Sequence, residues 1–188
     1  IETVEFKTFK PFIMVGGVHA TISPEEVISN PFVDAICMGE GEKAWEEFLV
    51  KYEIKSDLHN IQNLWIKQGG SIHKNPLGSL LNEDELWESP LDLSLFDKRH
   101  FLYVFDGVTY KKGNIELSRG CPYSCSYCVN SAFKGAYKGL GKFMRIRPIE
   151  NIKTAIMKLI SVGCEMLYFQ DESFLSIPYS VLQDFCSW

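Results

Sequence analysis

The sequence lacks the long apolar run of a membrane span, since none of its segments approaches about 20 consecutive apolar residues. It shows no charged-then-apolar secretory leader. Basic residues are not in excess, because 19 Lys and Arg face 24 Asp and Glu, for a net charge of −5. This balance argues against nucleic acid as a partner. Together with six cysteines, three of them clustered, these features lead us to expect a reducing, cytoplasmic location.

A phosphate-binding loop is also missing. Residues 134–142 are rich in glycine and lysine, but the P-loop pattern needs Gly at position 136 and Ser or Thr at position 143. The chain has Ala136 and Phe143 there. We therefore interpret this segment as a flexible loop.

The chain opens on Ile1 rather than Met and stops at Trp188 just after a helix-like start, so we expect a fragment of a longer protein.

Three cysteines at CxxxCxxC spacing are the strongest feature that is present. Cys121, Cys125 and Cys128 follow a strand-like segment, 114–118, and the pair Arg119-Gly120. Thiolates hold iron–sulfur clusters, and a cubane cluster normally takes four of them. Three ligands in one loop leave one iron open, as a metal must be if it is to bind a substrate.

A disulfide framework or a structural zinc site fits the cysteines less well. Disulfide frameworks are typical of small secreted domains. A structural zinc site needs a fourth Cys or His nearby, and the nearest candidates, Cys164 and His100, lack the usual spacing. Cys37 and Cys186 lie in apolar segments and are interpreted as small buried hydrophobes. These observations favour an iron–sulfur cluster.

The N-terminal residues predict a parallel sheet covered by helices. Apolar segments 12–15 and 32–38 indicate buried strands, and each is followed by a helical pattern. The first helix would start at Ser23-Pro24 with two acids in its first turn, and the second would carry Trp45, Phe48, Leu49 and Tyr52 on one apolar face. Ligands of such sheets lie beyond the carboxyl ends of the strands. The segments GGVHAT (16–21) and GEGE (39–42) fall there, although by themselves they also fit two glycine turns and a surface histidine.

Three motifs resemble those of one family. The cysteine motif, with Tyr127 directly before its last cysteine, resembles the signature of the radical S-adenosylmethionine (SAM) superfamily. GGVHAT, then PEE and VDAICMGEGE, resembles the C-terminal half of the cobalamin-binding domain of radical SAM enzymes. The pattern RxRxxE…FxDexF after the cysteines is similar to that of cobalamin-type radical SAM enzymes. The chain thus resembles the middle of a cobalamin-dependent radical SAM enzyme.

This resemblance implies the cofactors. The three cysteines would hold a 4Fe–4S cluster whose free iron chelates the amino and carboxylate groups of SAM. One electron from the cluster would cleave SAM to a 5′-deoxyadenosyl radical, while Tyr127 lies against the adenine. A carboxylate at the end of the strand near residue 169 would bind the SAM amine, and the resemblance assigns this role to Asp171, with Glu172 as the alternate. For cobalamin, the resemblance points to two glycine loops: Gly16, Gly17, His19, Gly39 and Gly41.

The implied fold is α/β. Residues 1–54 would form the C-terminal half of a flavodoxin-like (Rossmann-like) cobalamin domain, and residues 55–113 a linker with a small hairpin. Residues 114–188 would begin a partial β/α barrel of the radical SAM type, in which the strand 166–169 lies next to the strand that leads into the cysteine loop. Between these strands Pro148 and Gly163 predict the start and end of a helix, with a buried stripe of Ile149, Ile152, Ile156 and Leu159. The active sites of barrel enzymes lie at the carboxyl ends of the strands, which would place Asp171 beside the cluster loop.

The resemblance leaves the reaction open between methyl transfer and cyclisation or rearrangement of a small-molecule or peptide substrate. It also implies an electron donor such as a flavodoxin or ferredoxin. One rival is a radical SAM methylthiotransferase acting on tRNA, which would need upstream cysteines and a basic module, whereas only Cys37 lies upstream. The other rival is a non-catalytic metal- or cobalamin-binding protein.

Overall fold

The computed structural model describes residues 10–87 and 92–188 as a mixed α/β chain. The chain divides into two compact units, Ile1–Ser79 and Leu80–Trp188. The residues predicted as a linker, 55–113, are therefore shared between the two units. Within the described residues, no helix combines the length and the apolar character needed to cross a membrane.

The first unit contains a four-stranded sheet in the order β1-β2-β3-β4. Its strands are Met14–Val15 (β1), Ala35–Cys37 (β2), Leu64–Gln68 (β3) and Ser71–Lys74 (β4). β1 and β2 are parallel, as predicted, but β3 and β4 form an antiparallel hairpin that adds to the edge of β2. The predicted hairpin is confirmed, and it extends the sheet because Leu64 and Ile66 are buried in the same core as Ala35.

Within residues 10–79, three helices accompany this sheet: Val18–Ile22 (α1), Pro24–Ser29 (α2) and Glu42–Glu53 (α3). α2 begins with Pro at its first position and carries two acids in its first turn, as the sequence predicted. α1 was not predicted, since most of GGVHAT was interpreted as a loop. α3 packs Ala44 and Phe48 into the core, whereas Trp45, Leu49 and Tyr52, predicted to share its apolar face, remain about half exposed.

The second unit contains the cysteine motif between short strands and helices. Its elements are Glu83–Trp87 (α4), Leu102–Phe105 (β5), Val108–Ile115 (β6), Ser118–Arg119 (β7), Val129–Ala136 (α5), Arg145–Ile146 (β8), Ile149–Ser161 (α6), Met166–Phe169 (β9) and Tyr179–Ser187 (α7). Short 3-10 turns lie at Leu93–Leu95, Lys98–Phe101 and Phe174–Ser176.

The core of this unit forms where α6 packs against the parallel strands β6 and β9. Ile115 pairs with Phe169, and the predicted apolar stripe of α6 is buried here through Ile152, Ile156 and Leu159. The contact is close, because a Cβ added at Gly113 of β6 would lie 2.9 Å from the Leu159 side chain. The predicted neighbourhood of the two strands is therefore confirmed, and their carboxyl ends point in the same direction.

Candidate cluster and cofactor sites

The cysteine loop is held between β7 and α5. β7 pairs antiparallel with β8, with Arg119 opposite Arg145. The loop then runs from Gly120 to Cys128, which is the residue immediately before α5. Ser131 of α5 donates from its hydroxyl to the carbonyl oxygen of Cys125 at 2.8 Å. Both ends of the motif are thus fixed by regular structure.

A lysine fixes the middle of the loop. The ammonium of Lys134 donates to the carbonyl oxygens of Pro122 and Tyr123, each at 2.6 Å, and lies 3.4 Å from the Ser124 hydroxyl. Lys134 belongs to α5, so the segment interpreted as a flexible loop is helical up to residue 136. Sequence reasoning missed this contact, because only the helix brings position 134 back over the loop.

The three motif cysteines are free thiols. Cys121 is buried, while Cys125 and Cys128 are half-buried. Across residues 10–87 and 92–188, no three Cys, His, Asp or Glu side chains are gathered closely enough to hold a metal ion. The three motif thiols thus lie on one continuous loop but are not gathered into a metal-binding group in this structure, and their role as ligands of an iron–sulfur cluster stays a prediction from their chemistry and spacing.

Gly120 allows this loop to begin where it does. Its φ of +87° is in the left-handed region that favours glycine. A Cβ at this position would lie 2.2 Å from the carbonyl oxygen of Phe143. The backbone before Cys121 therefore packs directly on the backbone of residues 143–144, which leaves no room for a side chain.

Tyr127 is 90% exposed and projects from the loop. Its hydroxyl is hydrogen-bonded with Cys125, and this contact is the main cause of the raised pKa of Tyr127. An exposed aromatic ring beside two motif thiols is available to a planar ligand. The structure thus keeps Tyr127 next to the cysteines, as the motif predicted.

The two carboxylates predicted at the end of β9 have different surroundings. Asp171 accepts hydrogen bonds from the backbone N–H groups of Leu117 and Ser118 and from the Ser118 hydroxyl, at 2.6–3.2 Å. Both of its oxygens therefore contact the chain just before the cysteine loop.

The Glu172 carboxyl lies near the backbone N–H of Gly120, next to Cys121, and this N–H acts to lower the pKa of Glu172. The residue retains an exposed surface. Partial burial of its carboxyl raises its pKa, and the nearby Glu116 raises it further, while Arg119 acts in the opposite direction. Of the two acids, Glu172 is the one that faces the start of the cluster loop.

Two arginines, of which Arg145 is buried and Arg147 half-buried, support the same region. Arg145 is 2% exposed and donates to the carbonyl oxygen of Leu81 at 3.0 Å. The Arg147 guanidinium lies 4.7 Å from the ring centre of the buried Trp87, a cation–π contact. The RxR pattern was noticed in the sequence, but its partners come from a segment more than 50 residues earlier and could not be predicted.

In the first unit, the two glycine loops are tied together by Thr21. Its hydroxyl donates to the carbonyl oxygen of Gly17 at 2.9 Å and accepts from the N–H of Gly39 at 2.8 Å. Gly16 and Gly41 both lie close to Cys37. A Cβ added at Gly16 would be 3.6 Å from the carbonyl oxygen of Cys37, and a Cβ added at Gly41 would be 3.4 Å from its sulfur. The predicted cobalamin-binding glycines are thus brought together at one edge of the sheet.

Gly17 and His19 differ in what surrounds them. Gly17 has a φ of +87°, and a Cβ there would have no atom of the described chain within 4 Å. Such an open backbone position fits the close approach of a bulky ligand. The His19 ring is exposed and its Nε2 lies 3.4 Å from a carboxylate oxygen of Glu26.

Comparison with known proteins supports the resemblance seen in the sequence, although no protein-family model matches the chain. The chain is 31% identical over 166 residues to an uncharacterized methyltransferase of Pyrococcus horikoshii, covering 87% of this chain and 34% of the relative. It is 28% identical over 126 residues to the cobalamin-dependent radical SAM methyltransferase TokK of Streptomyces tokunonensis, covering 62% of this chain and 17% of that enzyme. The chain thus spans about a third or less of these curated relatives.

A solved structure agrees in fold. The radical SAM methyltransferase TsrM from Kitasatospora setae, with cobalamin and a 4Fe–4S cluster bound, matches with a TM-score of 0.58 at 18% identity. This match covers 91% of our chain and 33% of the other. Relatives and fold agree with the resemblance predicted from the sequence: over the stretch that it spans, the chain is similar to cobalamin-dependent radical SAM methyltransferases.

Proposed function

We propose that this chain supplies the cluster loop and part of the cobalamin site of an enzyme that cleaves SAM reductively and transfers a methyl group to a small-molecule substrate. The observation that carries this proposal is the CxxxCxxC loop, whose three free thiols are held between β7 and α5 beside the carboxyl end of β9. Methyl transfer is supported by the names of both relatives. Cyclisation or rearrangement is the alternative that uses the same parts.

The residues of the second unit would have distinct roles. Cys121, Cys125 and Cys128 would bind a 4Fe–4S cluster as thiolates, and the bound cluster would supply the electron for SAM cleavage. Tyr127 would lie against the adenine ring. Glu172 would accept a charge-assisted hydrogen bond from the SAM amine. The sequence prediction assigned this role to Asp171 first and to Glu172 as the alternate, whereas we propose Glu172.

The glycine loops of the first unit would bind cobalamin. Gly17 leaves open space where a ligand approaches the backbone, and Thr21 holds the loop of Gly39 against it. In this proposal the first unit belongs to the C-terminal half of a flavodoxin-like domain, to which the β3–β4 hairpin adds. The second unit opens a partial β/α barrel with β6 and β9 as neighbouring strands. An electron donor such as a flavodoxin or ferredoxin would complete the system.

Replacing each motif cysteine by Ala tests the proposal. In the full-length protein, reconstituted anaerobically with iron and sulfide, each replacement should abolish formation of 5′-deoxyadenosine from SAM. Cys37→Ala is the control: Cys37 lies in β2 of the first unit, outside the motif, and burial raises the pKa of its thiol to about 11, which disfavours the thiolate form. Cys37→Ala should therefore keep the activity.

Two results would contradict the proposal. An active Cys125→Ala protein would remove the cluster assignment. A reconstituted wild-type protein that binds SAM and cobalamin but forms no 5′-deoxyadenosine with a reductant would support the non-catalytic binding protein instead.

A further inference from the structure

Asp171 connects two parts of the second unit that are distant in sequence. It follows β9, and its carboxylate bonds with Leu117 and Ser118, 53–54 residues earlier in the chain. The shortest contacts, both 2.6 Å, join its Oδ1 to the N–H and to the hydroxyl of Ser118. These lengths are typical of strong hydrogen bonds to an ionised acceptor.

The two backbone N–H groups donate to a carboxylate and not to a neighbouring strand. β6 ends at Ile115, and Ser118 pairs with Ile146 of β8, while its N–H donates to Asp171. Leu117 is fully buried and Ser118 is 1% exposed. A buried N–H without an acceptor is costly. The Asp171 carboxylate therefore accepts the hydrogen bonds of these two N–H groups, as a neighbouring strand would do elsewhere in a sheet.

The connection leads directly into the cluster loop. Ser118 is three residues before Cys121, and the backbone between them is confined by the Arg119–Arg145 pairing and by the packing of Gly120 on Phe143. A shift of the 117–118 backbone would therefore be transmitted to the first motif cysteine. Asp171 anchors the side of this backbone that faces β9.

We propose that Asp171 is a positioning residue that fixes the entry of the cluster loop, and with it Cys121, by accepting the hydrogen bonds of Leu117 and Ser118. The part of this inference that concerns Cys121 as a cluster ligand rests on the proposed function. The hydrogen bonds from Leu117 and Ser118 to Asp171 do not depend on a bound cluster. It separates the two neighbouring acids: Asp171 holds the protein backbone, and Glu172 remains for the ligand.

Three variants of the full-length protein test this inference: Asp171→Ala, Asp171→Asn and Glu172→Gln. Ala removes every acceptor. Asn keeps an oxygen at the Oδ1 position, which accepts from Leu117 and from both donors of Ser118. The readouts are amide hydrogen exchange at residues 117–118, the electron paramagnetic resonance spectrum of the reduced cluster, and the Kd for SAM.

If Asp171 positions the loop, Asp171→Ala should raise exchange at residues 117–118 by tenfold or more, since hydrogen bonds to charged groups are involved. It should also reduce or alter the cluster signal. Asp171→Asn should restore both readouts toward wild type, with a Kd for SAM within about twofold. Glu172→Gln should leave the exchange and the spectrum unchanged.

The opposite pattern overturns the inference. Wild-type exchange and an intact cluster in Asp171→Ala, with SAM binding tenfold weaker in Asp171→Asn, would make Asp171 a SAM ligand. If Asp171→Ala fails to fold, the exchange and the Kd of Asp171→Asn decide in the same way. If the wild-type protein takes up no iron, the proposed function fails, whereas exchange at residues 117–118 still decides whether Asp171 holds the loop.

Discussion

Gly120→Ala should disturb the cluster loop more than any other small substitution in it. At Gly120 two costs combine, because the backbone is left-handed and the space is filled. With φ at +87°, an L-residue pays about 1–2 kcal/mol. In addition, the new Cβ would lie 2.2 Å from the Phe143 carbonyl oxygen and 2.9 Å from its carbon. These are backbone atoms, so relief requires the chain itself to move.

The collision adds to the conformational cost. Inserting a methyl group into a well-packed site costs about 1–3 kcal/mol. Gly139→Ala is a matched control in the same unit, since Gly139 has φ of +84° but no atom within 4 Å of a built Cβ. Both variants lose the same glycine flexibility in the unfolded chain, so this term cancels. Gly120→Ala should therefore be about 1–3 kcal/mol less stable than Gly139→Ala.

Denaturant unfolding of the two variants measures this difference, and iron and sulfide content after reconstitution measures the effect on the loop. We expect Gly120→Ala to lose cluster content, because the displaced residue precedes Cys121, and Gly139→Ala to retain it. Equal stability and equal iron content in both variants would refute the packing argument.

Two further predictions concern Gly17 in the first unit and the Glu83 carboxylate in the second. Gly17→Val should lower cobalamin retention in the full-length protein while the iron content stays normal, because the added side chain would fill space that the structure leaves open; unchanged cobalamin absorbance after gel filtration would contradict it. The hydrogen bond from Lys142 lowers the pKa of Glu83 in the folded protein. The Glu83 carboxylate therefore stabilises the fold above the ordinary glutamate pKa of about 4.3. This stabilisation is lost as the pH falls through the lower pKa of the folded state. Glu83→Gln should cost about 0.2–1 kcal/mol at pH 7, the range of an exposed ion pair, and progressively less as the pH falls through the lowered folded pKa; a cost that does not change with pH would show that charge is not involved.

Local sequence patterns were sufficient for the elements with strong periodicity. The helix α6 was predicted from Pro148, Gly163 and its apolar stripe, and the structure confirms it. The β3–β4 hairpin was predicted from Gly69-Gly70 between two polar–apolar segments. The cysteine spacing predicted a cluster loop, because a metal-binding motif of this kind is contiguous in sequence, and this assignment stays a prediction. Cys186 was wrongly predicted to be buried and is exposed.

Contacts between distant segments could only come from the tertiary structure. The sequence placed Asp171 and Glu172 at the end of β9 but offered no means to tell them apart, since both are acids in one short loop. The chain path decides their roles: it brings the N–H groups of Leu117 and Ser118 to Asp171 and that of Gly120 to Glu172. The sequence by itself determined which residues we propose to carry the chemistry, because they form a contiguous motif. The fold determined which side chains hold that motif in place, because hydrogen bonds between segments 50 or more residues apart leave no local pattern.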